Sequence, residues 1–279
     1  MFTYSTRDSL KSTLQKVRNQ DEIIGFVPTM GALHEGHLSL VHRASEECDV
    51  VVVSIFVNPT QFNNQEDFLK YPNTLENDLK LLSQFPKVKV FVPAGDEVYP
   101  DEDSYEPIDL GQLDLVLEGK FRPGHFQGVV HVVRNLLQIV MPQRAYFGLK
   151  DFQQLAVIRR FSLIQNIETQ IIPCETLRDV SGLALSSRNL RLSEKEKEDA
   201  LIIHQTLLKI REWKLLHAPN KVKQMATDFF NQGVLKLEYL EIIDGNEFVN
   251  LQDEWTSNAL CCIAAYCGEV RLIDNISCQ

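Results

Sequence analysis

Gly25-Phe-Val-Pro-Thr-Met-Gly-Ala-Leu-His-Glu-Gly-His37 passes from an apolar run into a helical pattern and carries two histidines three positions apart. Residues 23–27 read as a short buried strand, and Leu38, Val41 and Ala44 begin an amphipathic helix over about 36–47. Gly31 and Gly36 let the backbone approach a ligand where a Cβ would obstruct it. A helix N-terminus offers unpaired N–H groups and the positive end of the helix dipole, and both favour phosphate. Imidazoles at i and i+3 share one face, so His34 and His37 can reach a single phosphate chain. The junction therefore reads as a nucleotide site. The spacing excludes an H-E-x-x-H zinc site. Taken alone, H-x-G-H fits two hydrogen-bonded structural histidines about equally well, and His42 falls off the shared face as a packing or surface residue.

On either side of this junction, strand and helix signals alternate. Residues 50–57 form a continuous β-branched run suited to a strand covered on both faces. A helix is predicted from its N-cap Thr74 to Leu82, a strand over 88–92, and a helix over 125–140 ended by Pro142. Strands at 145–147 and 169–174 flank a helix over 151–165. This alternation predicts an α/β fold built on a doubly wound parallel sheet. Further on, Ser193-Glu-Lys-Glu196 reads as a capping box opening a helix toward Trp213, followed by a helix at 220–231 and strands at 237–243, 259–266 and 271–273. The expectation is a smaller C-terminal α+β domain, with residues 1–178 in the first domain and 179–279 in the second.

Composition narrows the function classes. A net charge of −10 over 279 residues, with no basic stripe, argues against nucleic acid as a partner. An anionic ligand must then be held by local cations, helix N-termini or a metal. The six cysteines (48, 174, 261, 262, 267, 278) show no C-x-x-C spacing and read as reduced thiols of a reducing cytosol. No leader pattern and no run of 18 apolar residues is found, so a soluble cytoplasmic protein without a membrane partner is expected.

Four further stretches carry chemistry. Asn58-Pro-Thr-Gln61 lies past the end of the 50–57 strand, where open α/β sheets bind ligands; its amides suit hydroxyl and carboxylate groups, although Asn-Pro is by itself a turn sequence. Lys120-Phe-Arg-Pro-Gly-His-Phe126 places Arg122 as a carboxylate or phosphate clamp or, equally, in a solvated loop. Phe147-Gly-Leu-Lys-Asp-Phe-Gln-Gln154 repeats the strand–glycine–helix arrangement. There Lys150 suits a transferring phosphoryl group, Asp151 an N-cap, and Gln154 the same crevice one turn on. Leu185-Ser-Ser-Arg188 suits closure over a triphosphate but is, on its own residues, an ordinary linker.

Together, and in this order, these motifs resemble the pantothenate synthetase (pantoate–β-alanine ligase) family. The resemblance rests on residues 27–37, 54–62, Tyr71-Pro-Asn-Thr74 with Asp78, Arg122-Pro-Gly-His-Phe126, Gly148-Leu-Lys-Asp151, Leu183-Ala-Leu-Ser-Ser-Arg-Asn189 and Arg271-Leu-Ile-Asp-Asn275, and so spans almost the whole chain. It implies a Rossmann-like nucleotidyltransferase domain of the H-x-G-H type with a C-terminal lid domain, and a homodimer. It also implies that pantoate and ATP form pantoyl adenylate and pyrophosphate, and that β-alanine then displaces AMP to give pantothenate. Carried over by position, Met30, Gly31, Ala32, Leu33, His34, Glu35, Gly36 and His37 would contact ATP, with His37 as proton donor. Gly148, Leu149, Lys150, Asp151, Leu177, Leu185, Ser186, Ser187 and Arg188 would line the nucleotide site. Gln61 and Gln154 would bind pantoate, Gln61 also lying near β-alanine. Asn58 and Arg122 are further substrate candidates, and Asp78 is the candidate ligand of Mg²⁺. Charge on the phosphoryl group would be met by His34, His37, Lys150, Arg188 and the metal. The residues themselves leave open a different H-x-G-H nucleotidyltransferase, or a non-catalytic nucleotide binder.

Overall fold

The computed structural model describes residues 2–100 and 105–278. As far as Cys174 the chain runs β1 (Phe2–Tyr4), α1 (Arg7–Arg18), β2 (Ile24–Thr29), α2 (Glu35–Glu47), β3 (Val50–Ile55), α3 (Gln65–Leu69), α4 (Leu75–Leu82) and β4 (Val88–Phe91). It continues through α5 (Gly95–Val98), α6 (Leu117–Phe121), α7 (His125–Val140), β5 (Arg144–Gly148), α8 (Phe152–Ile164) and β6 (Gln170–Cys174). Beyond these lie α9 (Glu194–Trp213), α10 (Pro219–Phe230), β7 (Lys236–Asp244), β8 (Ala259–Cys267) and β9 (Val270–Ser277). Two compact units result: Met1–Asp114, Glu118–Leu149 and Gln153–Glu175 form the first, and Leu115–Leu117, Lys150–Phe152 and Thr176–Gln279 the second.

The first unit is built on a six-stranded sheet of order β1-β4-β3-β2-β5-β6, with every pairing parallel. β3 shows why its sequence is apolar at every position but Ser54. Val50 and Val52 face a core with Leu10 and Leu14 of α1 and the apolar sides of α7 and α8, while Val51, Val53 and Ile55 face another with Val41 and Ala44 of α2 and Leu82 of α4. Both faces are covered, so alternation disappears. The strand order reverses between β2 and β5, and such a switch point opens a crevice at the carboxyl ends of the strands. β2 pairs with β5 only at Gly25↔Arg144 and Phe26↔Ala145, which leaves Val27–Thr29 to diverge toward that crevice.

In the second unit, α9 and α10 pack through Ile203, Leu207, Ile210, Val222, Ala226 and Phe230 on an antiparallel β7-β8-β9 sheet. The predicted third strand, 271–273, extends over Val270–Ser277. Its inward positions run Val270, Leu272, Asp274, and the buried aspartate breaks the apolar alternation that would have marked the strand's length. The helix predicted from Asp151 opens instead with a 3₁₀ turn, Leu149–Asp151, and the edge strand β1 carried too short a signal to be anticipated.

Candidate active site

In the first unit, the candidate groups begin where β2 ends. Gly31 (φ +80°) and Ala32 (φ +49°) are both left-handed, and the turn they make points the Ala32 and Leu33 N–H groups inward. Asp78 on α4 receives them: its Oδ2 accepts from Ala32 N at 2.9 Å and its Oδ1 from Leu33 N at 2.9 Å, and Thr74 Oγ1 donates to Oδ1 at 3.0 Å. A Cβ at Gly31 would lie 3.1 Å from Asp78 Oδ2, so both space and backbone conformation call for glycine. Asp78 is fully buried, and its negative charge is spent on three internal donors. The carboxylate anchors the 31–33 loop from beneath.

α2 follows, with His34 as its N-cap. His34 Nδ1 accepts from Gly36 N at 3.1 Å, and His37 Nδ1 accepts from His34 N at 3.4 Å. Because each Nδ1 is an acceptor, these hydrogen bonds assign the ring proton of each neutral imidazole to Nε2. The rings lie 4.1 Å apart between centroids. Two N–H donors are thus set side by side at a helix N-terminus, at the carboxyl end of a strand next to the switch point. His42 forms an exposed pair with Glu46 one turn on, away from this face.

Past β3, the 3₁₀ turn Pro59–Gln61 is organised by Asn58, which is 1 % exposed. Its Nδ2 donates to Gln61 Oε1 (3.0 Å) and to Gly128 O (3.2 Å), and its Oδ1 accepts from Thr60 N, Thr60 Oγ1 and Tyr99 OH. The amide expected to meet substrate is committed internally, and it holds the side chain of Gln61. The peptide of Gln61 is held as well: its carbonyl accepts from His125 Nδ1 at 2.7 Å and from Arg122 at 3.2 Å. Arg122 also lies 3.1 Å from His125 Nε2. A guanidinium only donates, so Nε2 is the acceptor and the His125 proton sits on Nδ1. α7 comes so close here that a Cβ on Gly128 would fall 2.4 Å from Thr60 O. Gln61 Nε2 points to Met30 Sδ at 3.1 Å, placing the glutamine against the loop that follows β2. On α8, Gln153 is buried and bonded to Glu118 N and Leu113 O, whereas half-exposed Gln154 has no side-chain partner among the described residues. Of the adjacent pair, Gln154 is the one whose amide remains for a ligand.

The second unit contains Lys150 and the 177–188 segment. Lys150 Nζ lies 3.8 Å from Asp151 Oδ1, and its carbonyl accepts from Asn275 Nδ2 at 2.8 Å. The stretch leading into Leu185-Ser-Ser-Arg188 is a closed hairpin: Leu185 N donates to Leu177 O, Arg178 bridges Ala184, and Gly182 (φ +101°) turns its tip. Asp179 ties that tip. Burial alone would raise its carboxyl, but hydrogen bonds from Ser181 and from the N–H groups of Leu183, Ser181 and Gly182 outweigh it and hold the group below the usual carboxylate range. Ser186 Oγ accepts from Arg188 N and caps the 3₁₀ turn Ser187–Arg191, with Ser187 buried. Sequence reasoning did not single out His125, Arg178, Asp274 or Asn275 as separate functional groups. Their part lies in contacts far apart in the chain, and only the quoted motifs around them gave any signal.

Among the described residues, no group of three or more histidine, cysteine or acidic side chains could hold a metal ion, and no helix is long and apolar enough to cross a membrane.

Comparison with known proteins agrees with this geometry. The family model for pantoate-beta-alanine ligase matches residues 3–277. Pantothenate synthetase of Porphyromonas gingivalis is 47 % identical over 279 residues, covering 99 % of each chain. That of Phocaeicola vulgatus is 49 % identical over 281 residues, again covering 99 % of each. The crystal structure of pantothenate synthetase from Thermus thermophilus superposes with a TM-score of 0.93 at 39 % identity, covering 100 % of both chains. That of the Francisella tularensis pantoate-beta-alanine ligase, complexed with beta-gamma ATP and beta-alanine, gives 0.83 at 37 % identity over 100 % of this chain and 98 % of the other. With a family model spanning nearly its whole length and a common fold at substantial identity, the chain belongs to the pantoate–β-alanine ligase family.

Proposed function

We propose that this protein condenses (R)-pantoate with β-alanine to pantothenate, using ATP and releasing AMP and pyrophosphate. One observation carries the reading: the His34 and His37 rings paired at the N-terminus of α2, and a glutamine against Met30 that is held at both its side chain and its peptide. The first group suits phosphate, and the second suits a hydroxy acid without phosphate.

In the first half-reaction a pantoate carboxylate oxygen forms a bond to the α-phosphorus while the bond to the β-phosphate oxygen breaks, and pyrophosphate leaves. Such a transfer needs positioning and charge neutralisation more than a protein nucleophile. Residues Met30–His37 are assigned to ATP, with His34 and His37 donating to phosphate oxygens and His37 supplying a proton to the departing charge. Gly148–Asp151, Leu177 and Leu185–Arg188 are assigned to the nucleotide, Lys150 and Arg188 being its cationic ligands. Gln61 and Gln154 are assigned to pantoate, with Asn58 and Arg122 acting through Gln61. In the second half-reaction the β-alanine amine, placed near Gln61, attacks the acyl carbon. The bond to AMP breaks and the amine gives up a proton. Holding both reactants in line supplies up to about 7–11 kcal/mol, so no acyl-enzyme is required.

Magnesium would enter with the ATP phosphates and offset their charge, with Asp78 as the carboxylate that the family resemblance offers it. We assign a homodimer in the cytoplasm on the family resemblance and on six buried free cysteines. The test is pyrophosphate release from Mg-ATP, with pantoate and β-alanine added separately and then together. Pantoate-dependent pyrophosphate, followed by AMP and pantothenate once β-alanine is present, is expected. ATP binding without pantoate dependence would overturn the reading.

A further inference from the structure

Asp274 and Asn275 sit at the middle of β9, opposite Ile263 and Cys262 of β8. Successive strand residues point to opposite faces, so the two side chains serve different neighbours. Asp274 is 4 % exposed and meets Arg178 in two parallel bonds, NH1 to Oδ2 at 2.6 Å and NH2 to Oδ1 at 2.9 Å. Arg178 spends further donors on Gly182 O and Asn275 O, which closes the hairpin and ties it to β9. The Asn275 side chain instead donates to Lys150 O at 2.8 Å. One dipeptide therefore grips the peptide of Lys150 and the base of the hairpin that leads into Ser186, Ser187 and Arg188. A buried ion pair is a poor device for stability alone, because apolar side chains of the same volume often serve as well. What it does provide is a fixed geometry.

We propose that Asp274 and Asn275 are positioning residues for nucleotide activation, holding Lys150 and the 177–188 hairpin in one register through the Asn275–Lys150 hydrogen bond and the Asp274–Arg178 ion pair. The proposal rests on the assignment of Lys150 and Arg188 to the nucleotide. Neither Asp274 nor Asn275 touches the reacting atoms. Their loss lets cationic ligands drift, and a misplacement of about 1 Å can cost about 100-fold in rate.

The experiment compares the full-length wild type with Asn275→Ala, Asn275→Asp and Asp274→Asn. Three activities are measured: ATP affinity by calorimetry, pantoate-dependent ATP–pyrophosphate exchange, and aminolysis of supplied pantoyl adenylate by β-alanine. Melting temperature is recorded for each variant. The expected result for both Asn275 variants is an exchange rate or ATP affinity lowered by about tenfold or more, with aminolysis within about twofold of wild type. Asp274→Asn is expected to lose more, and because it also removes the charge facing the half-buried Arg178 guanidinium, the folded Asn275 variants carry the decision. Exchange and ATP affinity within twofold of wild type would overturn the proposal. So would equal falls in exchange and aminolysis, the signature of a merely structural defect. If the wild type itself binds ATP but shows no pantoate-dependent exchange, the functional reading fails. ATP affinity alone then judges the pin, and an unchanged value in Asn275→Ala refutes it.

Discussion

Replacing Asp78 by asparagine separates two chemistries that the same residue could serve. The carboxylate accepts from Ala32 N and Leu33 N at 2.9 Å each and from Thr74 Oγ1 at 3.0 Å, with no exposure to solvent. Asparagine keeps the shape but turns one oxygen into a donor, so one of the two backbone N–H groups faces an NH₂. The other bond survives without its charge. A charge-assisted bond contributes about 1.5–3 kcal/mol against about 0.5–1.5 for a neutral one, and an orphaned buried N–H costs about 1–3 kcal/mol. Together the change costs about 2–4 kcal/mol, taking the lower ends because Thr74 can rotate to accept. Expressed wholly in the nucleotide loop, that is a loss of about 30- to 900-fold in ATP affinity. Any part not seen there appears as a lower melting temperature, about 2–4 °C per kcal/mol for a chain of this size. Calorimetric titration of ATP with magnesium, and again with the metal chelated, decides the role. Loop anchoring predicts the same proportional loss in both titrations. A loss confined to the magnesium titration would make Asp78 a metal ligand after all, and no loss in either affinity or melting temperature would refute the anchoring argument.

Other outcomes follow from the same geometry. His37→Ala should abolish pantoate-dependent pyrophosphate release while the circular-dichroism spectrum is retained; near-normal turnover in the folded variant would remove His37 from the chemistry. Gln61→Ala should raise the KM for pantoate with ATP affinity largely intact, and equal weakening of both would point to a structural defect instead. Gly128→Ala drives a Cβ to 2.4 Å from Thr60 O, so the Asn58–Gln61 turn must move at a cost of about 1–3 kcal/mol, read as weakened pantoate binding and a lower melting temperature. Burial, reinforced by the positive charge of Arg178, holds the His204 imidazole below its ordinary value, with Asp274 and Asp179 opposing. The unfolded chain then binds the extra proton first, so stability falls as pH drops from about 6.5 toward the folded value. The melting temperature of the wild type should decline relative to His204→Gln over that window, and parallel curves would exclude His204 as the titrating group.

Much of this was legible in the residues. β3 could be read as a doubly covered strand because five of its six consecutive buried positions are valine or isoleucine, and that in turn marked the sheet as parallel. His34 and His37 could be placed on one helix face because i,i+3 spacing is local geometry. The reach of β9 was hidden because Asp274 sits at an inward position, its charge answered by Arg178, which lies 96 residues away along the chain. The internal bonding of Asp78 and Asn58 was hidden for a related reason. A carboxylate or an amide near a ligand site suggests ligand contact, and nothing local tells whether its bonding capacity is already filled.

Local pattern thus determined strands β2 to β6, helices α2, α4 and α7 to α10, the parallel architecture and the pairing of the histidines, while β1, α1, α3, α5 and α6 escaped it, because periodicity and capping depend on neighbours within a turn or two. Tertiary structure alone decided which polar groups are spent on the scaffold and which are left for substrate. Asp78 is satisfied by a loop 45 and 46 residues upstream and Asn58 by a carbonyl 70 residues downstream, while Gln154, beside the fully bonded Gln153, keeps its amide. Hydrogen-bond satisfaction is a property of three-dimensional proximity, and no reading of spacing along a chain contains it.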